Sequence, residues 1–103
     1  MGFNEKVWEL AKKIPKGKVT TYKEIAFALG SVNSSRAVGN ALNKNPYWPS
    51  VPCHRVVKSD YSIGGFSKGT EEKIKLLEKE GVKIKNHKIE PSKVICRDFF
   101  RRN

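Results

Sequence analysis

The chain has 103 residues, with 21 Lys plus Arg against 10 Asp plus Glu and a formal net charge of +11. That length fits one domain and excludes a two-domain enzyme with separate cofactor and substrate halves. A hydrophobic content of 38% with 10% aromatics excludes a disordered basic tail, and no apolar run approaches the ~20 residues of a membrane span or forms a signal-peptide core.

In chain order, the first segment predicts a helix over Phe3 to Ile14, because Phe3, Val7, Leu10, Ala11 and Ile14 fall on one face. Asn4 is its expected N-cap, with Phe3 packing on Trp8, and Pro15-Lys16-Gly17-Lys18 ends it. A second helix begins at the capping box Thr21-Tyr22-Lys23-Glu24, buries Tyr22, Ile25, Ala26 and Leu29, and stops at Gly30. A third, capped by Asn33 or Ser34, runs to about Lys44. The pair makes a helix-turn-helix pattern, although packing alone produces such pairs in many helical domains. Ala37, Gly39 and Ala41 give the third helix a slim face, suited either to helix packing or to a narrow groove.

Three prolines stiffen the loop Asn45-Pro46-Tyr47-Trp48-Pro49-Ser50-Val51-Pro52. Cys53-His54-Arg55-Val56-Val57 follows, with a short strand expected at the valines. Ser59 to Gly69 reads as flexible. Thr70 is the expected cap of a helix through Glu80 with Ile74 and Leu77 inward, ended by Gly81. Val82-Lys83-Ile84-Lys85 alternates like an edge strand, and the basic tail after Pro91 has no assignment.

The charge points to a polyanion, of which nucleic acid is the commonest, or to a solvated lysine-rich surface. Cys53 and Cys96 are too few for a disulfide scaffold, and with His54 and His87 their spacing matches no zinc motif, so no metal is expected. Cys96 reads as a partly buried structural thiol and His87 as a surface turn residue.

Nucleophile chemistry is arguable at one place, Cys53 beside His54. A free thiol has a pKa of about 8.5, and a base within reach raises its reactive fraction. Adjacent residues on a strand point opposite ways, so His54 needs a bend or a bridging water. An orienting carboxylate could be Glu80 or Asp60, and spacing does not choose between them. A buried core thiol and a packed imidazole are the alternatives.

Pro52-Cys53-His54-Arg55-Val56 resembles the active-site motif of the O6-alkylguanine-DNA alkyltransferases. Flanking signals agree in order: Tyr22 after Thr20-Thr21, Ser35-Arg36-Ala37-Val38-Gly39, Asn45-Pro46, and Glu80-Gly81. The resemblance covers about Phe3 to Val82. It implies a mainly α domain with a short β element, of winged helix-turn-helix type, binding double-stranded DNA from the minor groove as a cytoplasmic monomer without a cofactor.

By the same resemblance, Cys53 accepts the alkyl group from guanine O6, irreversibly and once per molecule. His54 is its base through water, Glu80 orients His54, and Asn45 holds the active-site turn. Tyr22 turns the nucleotide and protonates O6, and Arg36 fills the gap left by the flipped base. Ala37 and Gly39 form the minor-groove face. The carbonyls around Cys53 and Val56 receive the guanine amino group and Ser67 meets O6, with Phe66 and Trp48 at the pocket.

Two departures stand out. Family members commonly have Tyr-Ser-Gly-Gly where this chain has Phe66-Ser67-Lys68-Gly69, so Lys68 is expected to disfavour bulky adducts such as benzyl. Nothing here corresponds to the N-terminal domain that most members carry. The same length resembles the alkyltransferase-like proteins, which bind the lesion and recruit other repair without transferring the group. Those typically have tryptophan at the cysteine position, and Cys53 favours transfer.

Overall fold

The structure, a computed structural model, describes residues 1–66 and 68–101. Helix α1 spans Phe3–Ala11, capped by Gly2 rather than the expected Asn4. Glu5 decides this, since its carboxylate accepts the Gly2 backbone N–H at 3.0 Å and closes the first turn one residue earlier. The helix also ends before Ile14. Shorter i to i+3 bonds, from Lys13 N–H to Leu10 and from Ile14 N–H to Ala11, tighten the exit and still deliver Ile14 to the core.

A two-residue strand β1, Thr20–Thr21, leads directly into α2, Tyr22–Ala28. Thr21 caps α2 as expected, its hydroxyl accepting the Glu24 N–H at 3.1 Å. The reciprocal half of the capping box is absent, because the Glu24 carboxylate turns to Arg97 instead. Gly30 takes a φ of 76° past the end of α2, a value its lack of a Cβ permits. Helix α3 spans Ser35–Asn43 with Ser34 as its N-cap residue, close to expectation.

Cys53–Arg55 forms a 3-10 turn, followed by β2, Val56–Val57, which pairs in parallel with β1 in the register Thr20 to Val56 and Thr21 to Val57. Helix α4 spans Thr70–Lys79, and its cap is Gly69 at φ 96° rather than Thr70. The expected edge strand is shorter, with β3 at Ile84–Lys85 forming an antiparallel hairpin with β4 at Lys88–Ile89. Asn86 and His87 sit in its turn with φ of 54° and 61°, the left-handed geometry that suits a tight hairpin. His87 is exposed there, as expected.

The tail is ordered into a 3-10 turn, Pro91–Lys93, and helix α5, Arg97–Phe100. Val19 exchanges backbone bonds with Lys93 and Ile95, and the Thr20 hydroxyl donates to the Ile95 carbonyl at 2.8 Å. Arg97 grips Glu24 through its backbone N–H and its guanidinium, with the guanidinium 3.5 Å over the Phe27 ring.

Two apolar clusters result. One joins α1, α2 and α3 with Val51, Val56 and Phe100, while the other gathers Val19, Val57, Ile63, Leu77, Val82 and Ile89. Because successive strand residues face opposite ways, Val56 enters the first cluster and Val57 the second. The reactive segment therefore leaves the seam between two cores, clamped on both sides. The architecture is mainly helical with short strands, as expected. No helix among the described residues is long and apolar enough to cross a membrane.

Candidate active site

The loop before Cys53 is tied by one side chain. The Asn45 amide oxygen accepts the Tyr47 N–H at 2.8 Å and its amide nitrogen donates to the Val51 carbonyl at 2.8 Å. The Cys53 N–H donates back to Val51 at 2.9 Å, which starts the 3-10 turn. In place of an extended strand, the turn sends the two side chains to different neighbours, and no hydrogen bond joins Cys53 to His54 among the described residues. Over its three residues Cys53 faces a groove, while His54 and Arg55 both turn towards the end of α4.

Glu80, the C-cap residue of α4, receives both of them. His54 Nε2 is 3.0 Å from Glu80 Oε2, and Arg55 donates from Nε to Oε1 at 2.9 Å and from Nη2 to Oε2 at 2.8 Å. Arg55 Nη1 donates to the Ile14 carbonyl at 2.8 Å, anchoring the pair to the tightened exit that follows α1. Glu80 is thus the orienting carboxylate. Asp60, the other candidate, is turned on its own loop, accepting from the Ser62 N–H and hydroxyl.

Burial pulls the Glu80 carboxyl upward, but the Arg55 and His54 bonds outweigh it and hold it below the usual carboxylate range. Burial also pulls His54 below its ordinary value against the opposing effect of Glu80, so at neutral pH the ring is uncharged. Its proton lies on Nε2, facing the ionised carboxylate, and its lone pair on Nδ1. Trp48 donates its indole N–H to that Nδ1 at 3.4 Å, and Phe66 packs edge-on against both rings.

A further residue at this site escapes sequence reading. Lys73, on α4, is 0% exposed. Its ammonium donates to the Val56 carbonyl at 2.7 Å and to the Gly65 carbonyl at 3.1 Å, and lies 5.9 Å from the Tyr22 ring centre. Burial lowers its pKa to about 8, and the charge of Cys53 opposes that shift. Lys73 precedes Leu77 by one turn and so shares its inward stripe. That placement is the one signal by which it could have been found.

Burial raises the Cys53 thiol, with Asn45 and Lys73 pulling it back in part. The resting group is therefore a protonated thiol beside a cation. Burial, followed by the nearby Cys53, raises Tyr22 too, which keeps its phenol a proton donor at neutral pH.

Cys53 opens on a groove of about 660 Å³ lined by Tyr22 and Lys23 of α2, Arg36, Gly39 and Asn40 of α3, and the Lys58 and Phe66 loop opposite. Gly64 in that loop has a φ of 74°, and a Cβ there would lie 3.1 Å from the Lys58 side chain and 3.5 Å from the Tyr22 hydroxyl, so only glycine fits. A Cβ on Gly39 would meet the Tyr22 ring at 3.9 Å, an ordinary contact. Arg36 and Ala37 are exposed, whereas Val56 is buried and Trp48 lies behind the groove against His54. The Val56 carbonyl already accepts from Lys73 and that of Cys53 from the Val56 N–H. Ser67 lies outside the described residues. Cys96 is exposed rather than partly buried and heads α5, away from this constellation.

The family model described as the DNA binding domain of 6-O-methylguanine DNA methyltransferase matches residues 2–82. A methylated-DNA–protein-cysteine methyltransferase of Saccharolobus solfataricus is 54% identical over 82 residues, covering 80% of this chain and 52% of that protein. The chain thus spans about half the length of such curated relatives. The crystal structure of O6-methylguanine-DNA methyltransferase from Pyrococcus kodakaraensis matches with a TM-score of 0.71 at 51% identity, over 80% of this chain and 47% of that one. S. pombe Atl1, in complex with damaged DNA containing O6-carboxymethylguanine, matches with a TM-score of 0.79 at 34% identity, over 90% of this chain and 94% of that one. A thiol at the groove floor, its histidine and glutamate behind it and a match across 2–82 converge: the chain belongs to the 6-O-methylguanine DNA methyltransferase family, through that family's DNA-binding domain.

Proposed function

We propose that this chain repairs O6-alkylated guanine in double-stranded DNA by direct reversal, moving the alkyl group irreversibly to Cys53. The observation that carries the reading is a thiol lining a groove, in electrostatic reach of a buried cation, Lys73, and of a proton donor, Tyr22, whose ring centre is 5.9 Å from that cation. Inside a duplex the O6 substituent is out of reach of any thiol, so the nucleotide must first leave the stack. Arg36, exposed at the groove edge, enters from the minor groove and fills the space left behind, its planar guanidinium stacking on the neighbouring bases. The slim face at Ala37 and Gly39 allows the helix to approach.

The thiol proton passes through water to His54, whose imidazolium Glu80 stabilises. Lys73 favours the thiolate electrostatically. Sγ then attacks the alkyl carbon, forming an S–C bond as the C–O6 bond breaks. Tyr22 donates its phenolic proton to the departing guanine and recovers one from solvent. The product is a thioether, which no water on the reaction path reopens, so each molecule acts once. Binding rests on phosphate contacts, weakens with salt and has little sequence preference.

A second reading, a lesion-binding module without transfer, is favoured by the structural match to Atl1 over 90% of this chain at a TM-score of 0.79. Intact-protein mass spectrometry separates the two. Incubation with a duplex containing O6-methylguanine adds one methyl to the wild type and none to Cys53→Ala. Tight lesion-selective binding at unchanged mass would establish the module instead.

A further inference from the structure

In the free protein both nitrogens of His54 are engaged by protein groups. Nε2 faces Glu80 Oε2 at 3.0 Å, and Glu80 is itself fixed by two bonds from Arg55. Nδ1, the nitrogen left with a lone pair, accepts the Trp48 indole N–H. The indole is held in place from outside, with Lys68 Nζ 4.4 Å from the ring centre and Phe66 against its edge. His54 is 3% exposed, so solvent has little access to the ring. The thiol meanwhile opens on the groove that Tyr22 also lines, within electrostatic reach of Lys73. Base and nucleophile are neighbours in the chain, yet the base is committed elsewhere.

We propose that Trp48 is a positioning residue that masks His54, so that the thiol stays protonated and unreactive until DNA is engaged. The inference rests on the transfer reading above, in which Cys53 can be used once. A single-use acceptor that reacted with any soluble electrophile would be spent before meeting a lesion, and an occupied base prevents that. Lys68 is the outer clamp. Its ammonium is exposed, and a DNA phosphate is a stronger partner for it than an indole face. The charged groups around His54 are Glu80 and Arg55, with Lys73 from α4, and Lys68 behind the indole.

The test reads Cys53 alkylation by iodoacetamide between pH 6 and pH 10 without DNA, in a Cys96→Ser background because Cys96 is exposed. Trp48→Phe keeps an aromatic ring and removes the N–H. It should raise the rate near neutral pH by roughly three- to tenfold and move the acid limb of the profile to lower pH. Lys68→Ala, which loosens the clamp and leaves the indole, should move the profile the same way by less. Adding His54→Gln to Trp48→Phe should abolish the gain.

Superimposable wild-type and Trp48→Phe profiles would overturn the mask. A gain that survives His54→Gln would overturn it too, since the indole would then merely block access. Methyl transfer from an O6-methylguanine duplex is measured separately on each protein. Failure of that transfer in the wild type sinks the repair reading, while the iodoacetamide profiles still decide the mask.

Discussion

Helices α3 and α4 both serve Cys53, in opposite ways. Among the described residues Arg36 and Asn40 of α3 make no side-chain hydrogen bond, and Ala37 and Gly39 between them offer almost no side chain. From α4, Lys73 spends its ammonium on two carbonyls and the cap residue Glu80 holds both His54 and Arg55. One wall is left uncommitted and the other is fully bonded before any ligand arrives. A surface that must meet DNA gains from free donors, whereas a surface that must stabilise developing charge gains from groups already fixed. Substitutions on the two walls should therefore separate affinity from chemistry.

The largest effect is expected at the junction. Cys53→Ala should abolish methyl transfer while leaving lesion binding within a few-fold, because it removes the acceptor and touches neither wall. Gel-shift titration beside intact mass checks both halves. Loss of binding together with transfer would show that the thiol is part of the recognition surface and would break the comparison.

Lys73→Met comes next, and tests the bonded wall in two independent ways. Removing the cation beside the thiol should lower single-turnover transfer by roughly ten- to a hundredfold at neutral pH, with duplex affinity little changed. Stability provides the second readout. The folded pKa of Lys73 is about 8 against an ordinary 10.5, so between those values the unfolded chain holds a proton that the folded chain lacks. Folding stability should thus rise with pH across that window, by about 3 kcal/mol in total, with the burial penalty fully present below it. Urea titrations at pH 7.5 and pH 10 should show a rise in the wild type that Lys73→Met lacks. Equal slopes in the two proteins would mean that the ammonium is better solvated than its burial implies.

Lys73 also marks where sequence reading stops. Cys53 and His54 were legible because they are adjacent and sit in a motif, whereas spacing left Glu80 and Asp60 equal as the carboxylate and only the family resemblance pointed to Glu80. A lysine in an amphipathic helix reads as solvated. Nothing local reveals that the Val56 and Gly65 carbonyls converge on it from separate loops. The same limit hid β1, whose two residues become a strand only through β2, and the tail, placed by a Glu24–Arg97 pair 73 positions apart. The caps at Gly2 and Gly69 were misplaced by one or two residues because Asn4 and Thr70 are better capping residues in isolation. Helices were readable from local chemistry, whereas the 3-10 turn at Cys53–Arg55 and the electrostatics around the thiol were not.

On the open wall, Arg36→Ala should weaken binding to lesion-containing duplex by roughly tenfold and reduce the slope of log affinity against log salt by about one. Alkylation of Cys53 by a small soluble reagent should be unaffected, since Arg36 contacts none of the bonded groups. A matching fall in that reactivity would show the two walls to be coupled. At the rim between them, Lys68→Gly should narrow the gap between methyl and benzyl transfer rates, because it removes the bulk beside Trp48 and Phe66. Equal rates for both adducts in the wild type would remove Lys68 as a size filter.

The smallest effect is the most discriminating for α3. Gly39 lies in the middle of that helix, where Ala is ordinarily favoured by about 0.5–1 kcal/mol. A Cβ there meets the Tyr22 ring at 3.9 Å, without a clash. Packing within the chain therefore gives no reason for glycine, and Gly39→Ala should raise the urea midpoint. If glycine is instead set by how closely a DNA backbone approaches, the same variant should bind duplex more weakly while becoming more stable. A rise in stability with unchanged affinity would place the DNA contact elsewhere on α3. A loss of both would mean that Tyr22 needs the space, and the slim face would belong to the chemistry rather than to the DNA.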